Sequence, residues 1–278
     1  MSKRKAEVLE IQEKIYVFYD TETNGLDPIT TAIMQLAVLS IDGTLILNQY
    51  VYPFDDRIDG TFIHGIDEEK LDNNNAVTID EMCIILKNRL RDLYGRSIVY
   101  FIAYNNFGYD QHILENNFKE ANIRIPDNWY FTDFMPIIKE IYLENPLPNY
   151  KLKTVFETIC GVDETIDFHC AYGDTKCLHK IYEKLSTKII PLLPKYTRSL
   201  LNSPKIQDCA ISTIAGYDKR SRLEERQISK ISDLYSIFRK NSYDKIEFNN
   251  HLLNRLGLKN GFVRNNMFQN LTMIKYLS

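Results

Sequence analysis

The segment Ser97–Tyr104, S-I-V-Y-F-I-A-Y, constrains the fold more than any other stretch of the chain. It is a nearly continuous apolar run with no polar–apolar alternation, as expected of a central strand covered on both faces. Such a strand needs a layer of other elements above and below it. The sequence supplies them. Upstream, Thr78 and Glu81 form a T-x-x-E capping box, and Met82, Ile85, Leu86, Leu90 and Leu93 keep helical spacing until Gly95, predicting a helix over Ile79–Tyr94. Downstream, Asp110–Ala121 carries Ile113, Leu114, Phe118 and Ala121 on one helical face. Trp129–Asp133 is a short strand candidate. Helices are expected over Phe134–Leu143, Leu152–Cys160 (stopped by Gly161) and Ala171–Leu185.

The chain before this run reads differently. Ile15–Asp20 is β-branched and aromatic and ends in the turn chemistry Thr21-Glu22-Thr23-Asn24-Gly25. Ile33–Ile41 and Leu45–Tyr52 are two more strand candidates, joined by the hairpin signal Asp42-Gly43. An antiparallel meander followed by alternating helices and strands gives an α/β fold, with a mixed sheet flanked by helices.

Composition bounds the rest. The 278 residues are 44% hydrophobic and 26% charged, ordinary for a globular protein. The net charge of −3 conceals an asymmetry: from Pro191 onward about 15 Lys and Arg face about 7 Asp and Glu, leaving the first 190 residues near −11. A basic part suits a polyanion and an acidic part suits cations, although a solvated basic helix face accounts for the first equally well. Ile228, Ile231, Leu234 and Phe238 share one helical face, and a second amphipathic piece spans Ile246–Leu256 before Gly257. Residues 191–278 therefore read as a basic, mainly helical appendage, and residues 1–12, with Ser2-Lys3-Arg4-Lys5, as a flexible N-terminus. Five cysteines without a C-x-x-C pair argue against disulfide and zinc-ribbon scaffolds. With no membrane-length apolar run and no signal-peptide core, the expected location is intracellular, cytoplasmic or nuclear.

Three clusters carry chemistry. Asp20 and Glu22 form a D-x-E at a strand end, where residues i and i+2 point to one face. Two adjacent carboxylates repel, and a divalent cation relieves that repulsion. Alone, the pair reads as a solvated strand end, since a D-x-E is a weak motif by itself. Asp110 follows the central strand in Y-N-N-F-G-Y-D; singly, it reads as a helix cap. His169 and Asp174 close the set in H-C-A-Y-G-D, the histidine on a loop and the aspartate in the first turns of the last helix.

Together and in this order, the clusters resemble the DEDDh (DnaQ-like) 3′→5′ exonucleases of the ribonuclease H-like superfamily. Asp20-Thr21-Glu22-Thr23-Asn24-Gly25-Leu26 is similar to D-x-E-T-x-G-L; Asn105 with Tyr109-Asp110 is similar to the second motif; and His169-x-Ala171-x-x-Asp174 is similar to H-x-A-x-x-D. His64-Gly65-Ile66 and Asn149-Tyr150-Lys151-Leu152 add to the likeness, which spans roughly residues 13–187. Tyr104 departs from it where a histidine is usual, and Asn105-Asn106 offers an alternative alignment of that motif. The longer spacing is closest to the three-prime repair exonucleases.

The resemblance implies a five-stranded mixed sheet in an exonuclease domain over residues 13–190. It implies a two-metal hydrolysis of phosphodiesters from 3′ ends of single-stranded or frayed DNA, releasing nucleoside 5′-monophosphates in proofreading or repair. Asp20, Glu22, Asp110 and Asp174 would hold two Mg²⁺, with Mn²⁺ able to substitute, and His169 would be the general base. Thr23, Leu26, His64, Asn105 and Tyr109 would contact the substrate, with Phe107, Tyr109 and Tyr172 as candidates for base stacking. RNA is the alternative substrate, and a non-catalytic nucleic-acid-binding module is the reading from another class. Residues 191–278 are open to a polymerase or other protein partner.

Overall fold

The computed structural model describes residues 14–25, 28, 31–203, 228 and 230–240. A mixed sheet organises them. Its first three strands, β1 (Lys14–Thr23), β2 (Ile33–Ser40) and β3 (Leu45–Tyr50), form the antiparallel meander, turning between the last two at Asp42-Gly43, where Gly43 takes a φ of 82°. Short helices α1 (Thr61–His64) and α2 (Glu68–Asn73) follow, then α3 (Ile79–Tyr94). The central strand β4 (Ile98–Ala103) runs parallel to β1. Next come α4 (Asp110–Glu120), β5 (Trp129–Asp133) parallel to β4, α5 (Phe134–Ile141), α6 (Leu152–Cys160) and α7 (Ala171–Ile189). The five expected strands are joined by a sixth, β6 (Thr197–Ser199), antiparallel to β5, so the order is β3-β2-β1-β4-β5-β6. Three residues without an apolar run leave no strand signature. Pairing with the open edge of β5 makes the strand, and it lies beyond residue 190. The helices α1 and α2, at four and six residues, are likewise too short to leave a periodic signal in the sequence.

Strand alternation divides the core in two. Val17 and Tyr19 of β1, with Val99 and Phe101 of β4, pack with Met82, Leu86 and Leu90 of α3 and Ile113, Leu114 and Phe118 of α4. Phe18 and Ile102, one residue out of phase, meet Ile137 and Ile138 of α5, Val155 and Phe156 of α6, and Leu178 and Ile181 of α7. The central run is apolar throughout because both faces are covered.

In the basic C-terminal part, α8 (Ile231–Lys240) is helical, and Ile228, Leu234 and Phe238 are buried, in keeping with the helical spacing. The piece at Ile246–Leu256, the basic N-terminus, Cys209 and Leu26 lie outside the described residues. Cys83, Cys160, Cys170 and Cys177 are free thiols. Among the described residues no helix is long and apolar enough to cross a membrane.

Candidate active site

β1 runs three residues past Asp20, so Asp20 and Glu22 both stand on the strand and share the face that carries Phe18. That face is covered by α7, whose first turn brings in Asp174. One carboxylate oxygen from each of Asp20, Glu22 and Asp174 lies within 4.8 Å of the others. Residues 152 and 154 positions apart thus meet because β1 ends where α7 begins.

The H-C-A-Y-G-D motif explains the local geometry of α7. Ala171 is fully buried, and the Thr175 hydroxyl donates to its carbonyl at 2.6 Å. A Cβ at Gly173 would stand 1.9 Å from the Asp167 carbonyl oxygen, so only glycine lets the preceding loop pass this close. His169, with a left-handed φ of 63°, turns that loop into the helix and is exposed. Among the described residues it is not part of the carboxylate cluster.

Asp110 reaches the site from the other side of β1. It is buried at the start of α4, where Thr21, the residue between the two strand carboxylates, donates to its Oδ1 at 2.9 Å. Its charge is nevertheless the strongest electrostatic influence on Asp20. Burial first, then the charges of Asp110, Asp174 and Glu22, hold the Asp20 carboxyl well above the usual range. Burial raises Glu22 to about 8, with Asp174 and Asp110 adding to the shift and Lys70 opposing it. Burial raises Asp110 and Asp174 to about 7, against lowering by hydrogen bonds from Thr21 and from the His169 backbone respectively.

Of the other anticipated residues, Thr23, His64, Asn105 and Tyr109 are among those described. The Tyr109 hydroxyl donates to the Gly25 carbonyl at 2.7 Å and lies 2.8 Å from Thr23 Oγ1, fastening the end of β1 to the start of α4. His64 is buried with both ring nitrogens engaged: Nδ1 accepts from the Ile66 amide at 3.0 Å, and Nε2 lies 3.2 Å from the Asp59 carbonyl. Burial lowers its pKa, which suits this neutral, bridging state. Asn105 takes a left-handed φ of 60° and packs its side chain against Gly108, while Asn106 turns into the core. Asn106 Nδ2 donates to the carbonyls of Phe101 and Thr132 at 3.2 and 3.0 Å, and its Oδ1 accepts from Tyr19. The two asparagines of the second motif therefore divide the work, one half-exposed and one bracing β1, β4 and β5. Tyr104, where the motif departs from its relatives, donates to the Tyr150 carbonyl at 2.9 Å.

Four further residues contribute beyond those the motifs name. Thr21, expected in a turn with Glu22, Thr23, Asn24 and Gly25, is instead a residue of β1, which runs on to Thr23. Gln35, the one polar side chain between Ile33 and Leu39, is buried beside Glu22, and its polarity within an apolar strand was the available signal. Asp133, buried at the end of β5, accepts from the Phe107 and Met135 amides at 3.2 and 3.1 Å and is raised by burial to about 6. Lys70 of α2, its ammonium 5.9 Å over the Tyr50 ring, is the cation that opposes the rise at Glu22; an isolated lysine in a polar segment gave no signal.

The donor set fits a hard divalent cation. The ligand atoms are all carboxylate oxygens, the class that suits Mg²⁺ and Mn²⁺ rather than softer metals. Asp174 Oδ1 is buried without a hydrogen-bond partner among the described residues, an unmet acceptor at the point where the carboxylates converge.

A profile of the exonuclease family (RNase T) matches residues 17–182, which include all of these groups. No curated protein matches the sequence significantly. Among solved structures, the chain is similar to Escherichia coli exonuclease I in complex with a dA16 oligonucleotide, at 18% identity and a TM-score of 0.53 over 66% of this chain and 43% of that one. A complex of the same enzyme with dT13 gives 19% identity and 0.53 over 66% and 43%. A zinc-bound form of its complex with single-stranded DNA gives 18% and 0.54 over 66% and 42%. The chain spans less than half the length of these proteins, and at such identity the likeness is one of fold.

Proposed function

The chain belongs to the exonuclease (RNase T) family, and from that premise we propose that it is a 3′→5′ exonuclease acting on single-stranded or frayed DNA ends and releasing nucleoside 5′-monophosphates. The observation that carries this reading is the convergence of Asp20, Glu22 and Asp174 within 4.8 Å, with Asp110 behind Thr21. Support for DNA as substrate comes from the oligonucleotide complexes of the structurally similar enzyme.

In this reading Asp20, Glu22, Asp110 and Asp174 hold two divalent cations, Mg²⁺ or Mn²⁺. Bound there, the ions would offset the negative charge of the phosphodiester and acidify an attacking water. His169, exposed on the loop before α7, takes the proton from that water. The new P–O bond forms as the bond from phosphorus to the 3′-oxygen of the penultimate nucleotide breaks, leaving a shortened strand with a free 3′-hydroxyl. Thr23 and Tyr109, joined at the end of β1, with Asn105, His64 and Leu26, orient the terminal nucleotide. The catalytic domain takes in residues 13–190 and extends through β6 (Thr197–Ser199), the edge strand of its sheet, and the basic remainder of 191–278 binds nucleic-acid backbone or a protein partner.

The test is direct. The full chain with Mg²⁺ or Mn²⁺ should shorten a 5′-labelled DNA oligomer one nucleotide at a time, and Asp20→Ala or His169→Ala should abolish shortening. Intact oligomer after incubation of the wild type with either ion would sink the proposal. A matched RNA oligomer shortened faster than the DNA would reassign the substrate. Replacing Lys219, Arg220 and Arg222 with alanine should reduce the salt dependence of DNA binding if the basic region contacts backbone phosphates. An unchanged salt dependence would favour the protein partner.

A further inference from the structure

Helix α7 begins without a cap of its own. Cys170, at the N-cap position, makes no side-chain hydrogen bond to the first turn. The first amides of a helix have no partner within it, and one left buried and unbonded destabilises that end. Here the acceptor comes from another element. Gln35 of β2 is 1% exposed, and its Oε1 accepts the Ala171 amide at 3.1 Å across 136 residues of chain. Its Nε2 donates to Asn48 Oδ1 of β3 at 2.8 Å and lies 3.7 Å from Cys170 Sγ. In the β1–β2 register Gln35 stands directly opposite Glu22, beside the register shift between Glu22 and Thr23, after which Thr23 pairs with Ile33. One side chain is thus bonded to the start of α7 and to β3 while neighbouring a strand carboxylate.

The consequence concerns spacing. Asp20 and Glu22 are fixed by β1, but Asp174 is carried by α7, and its place in the 4.8 Å cluster depends on where the helix begins relative to the sheet. Gly173 permits the approach of the Asp167 loop, yet supplies no attraction. The polar bond between the sheet and the first residue of α7 is the one from Gln35. We propose that Gln35 is a positioning residue that sets the distance of Asp174 from Asp20 and Glu22, and so the affinity of the site for divalent cations. This rests on the reading of those carboxylates as cation ligands. The amide is suited to the place because one end accepts and the other donates, without adding a fifth negative charge.

The experiment uses the full chain and two readouts besides activity: Mn²⁺ affinity, from the spectroscopic signal of free Mn²⁺, and hydrogen exchange of the Ala171 amide in chelator. Gln35→Met, similar in length but apolar, should accelerate exchange at Ala171 and weaken Mn²⁺ binding by about 10-fold or more, the scale on which groups that orient metal ligands act. Gln35→Asn, one methylene shorter and still an amide, serves if the methionine variant does not fold, and the same losses are expected of it. Faster exchange with wild-type Mn²⁺ affinity would make Gln35 a purely structural cap and overturn the proposal alone. A wild-type chain that binds no Mn²⁺ would overturn the nuclease reading and this inference with it.

Discussion

Thr21 and Asp110 are joined by a 2.9 Å hydrogen bond between residues 89 apart in sequence, and that bond ties the strand bearing two carboxylates to the helix bearing a third. Thr21 faces away from Asp20 and Glu22, so β1 organises the candidate site from both of its faces. Thr21→Val keeps the shape and removes the donor. Because Asp110 is buried, the loss should cost about 1–3 kcal/mol of stability and lower activity more than KM. Chemical denaturation and steady-state kinetics would check this; wild-type values in both would show the bond to be dispensable.

The pH dependence follows from the raised carboxylates. Glu22 at about 8, and Asp110 and Asp174 at about 7, stand above their ordinary values of 4.5 and 3.8. A raised carboxylate favours the folded state when protonated; that contribution is complete below about pH 4 and is lost as pH rises through 7 to 8. The chelated protein should therefore melt at lower temperature at pH 8.5 than at pH 5.5. Mn²⁺ should raise Tm more at the higher pH, since binding displaces protons. A chelated Tm that climbs between these values would contradict the assignment.

Removing one carboxylate should separate stability from function. Asp174→Asn removes a buried charge and its repulsion of Asp20 and Glu22, so in chelator at pH 8 the variant should be more stable than wild type, on the order of 1–2 kcal/mol. It should also be at least about 10³-fold less active, in keeping with a lost ligand of the reaction centre. Loss of both stability and activity would instead mark Asp174 as a fold residue.

Gly173→Ala places a methyl group where the Asp167 carbonyl lies 1.9 Å away. Backbone must move, either the loop carrying His169 or the first turn of α7. Activity should fall at least about 100-fold, as expected when a catalytic group is displaced by about 1 Å. Near-normal activity would show that the loop yields without disturbing the site.

Asn106→Ala should be the most damaging of these changes to the fold. Its three hydrogen bonds brace Tyr19, Phe101 and Thr132 in a fully buried position, and their loss leaves two carbonyls and a phenol without that partner. A loss of about 3–5 kcal/mol is expected by urea titration. Tyr19→Phe, which removes one of the three, should cost less than half of that.

The sequence by itself determined the layers and the motif residues. The unbroken apolarity of Ile98–Ala103 required cover on both faces, Gly95 and Gly161 ended helices where they stand, and D-x-E on a strand paired two carboxylates, because these are consequences of local periodicity and backbone freedom. Only the tertiary structure decided the relations between elements. That Asp110 approaches from the face opposite Asp20, that Asn106 braces the core while Asn105 stays half-exposed, and that Gln35 supplies the cap α7 lacks each depend on a contact between residues 87, 89 or 136 positions apart. No local pattern encodes such contacts, since each partner is an ordinary polar residue until the sheet and helix bring it within hydrogen-bonding distance. β6 is the same case for the backbone: three residues become a strand because β5 offers an open edge.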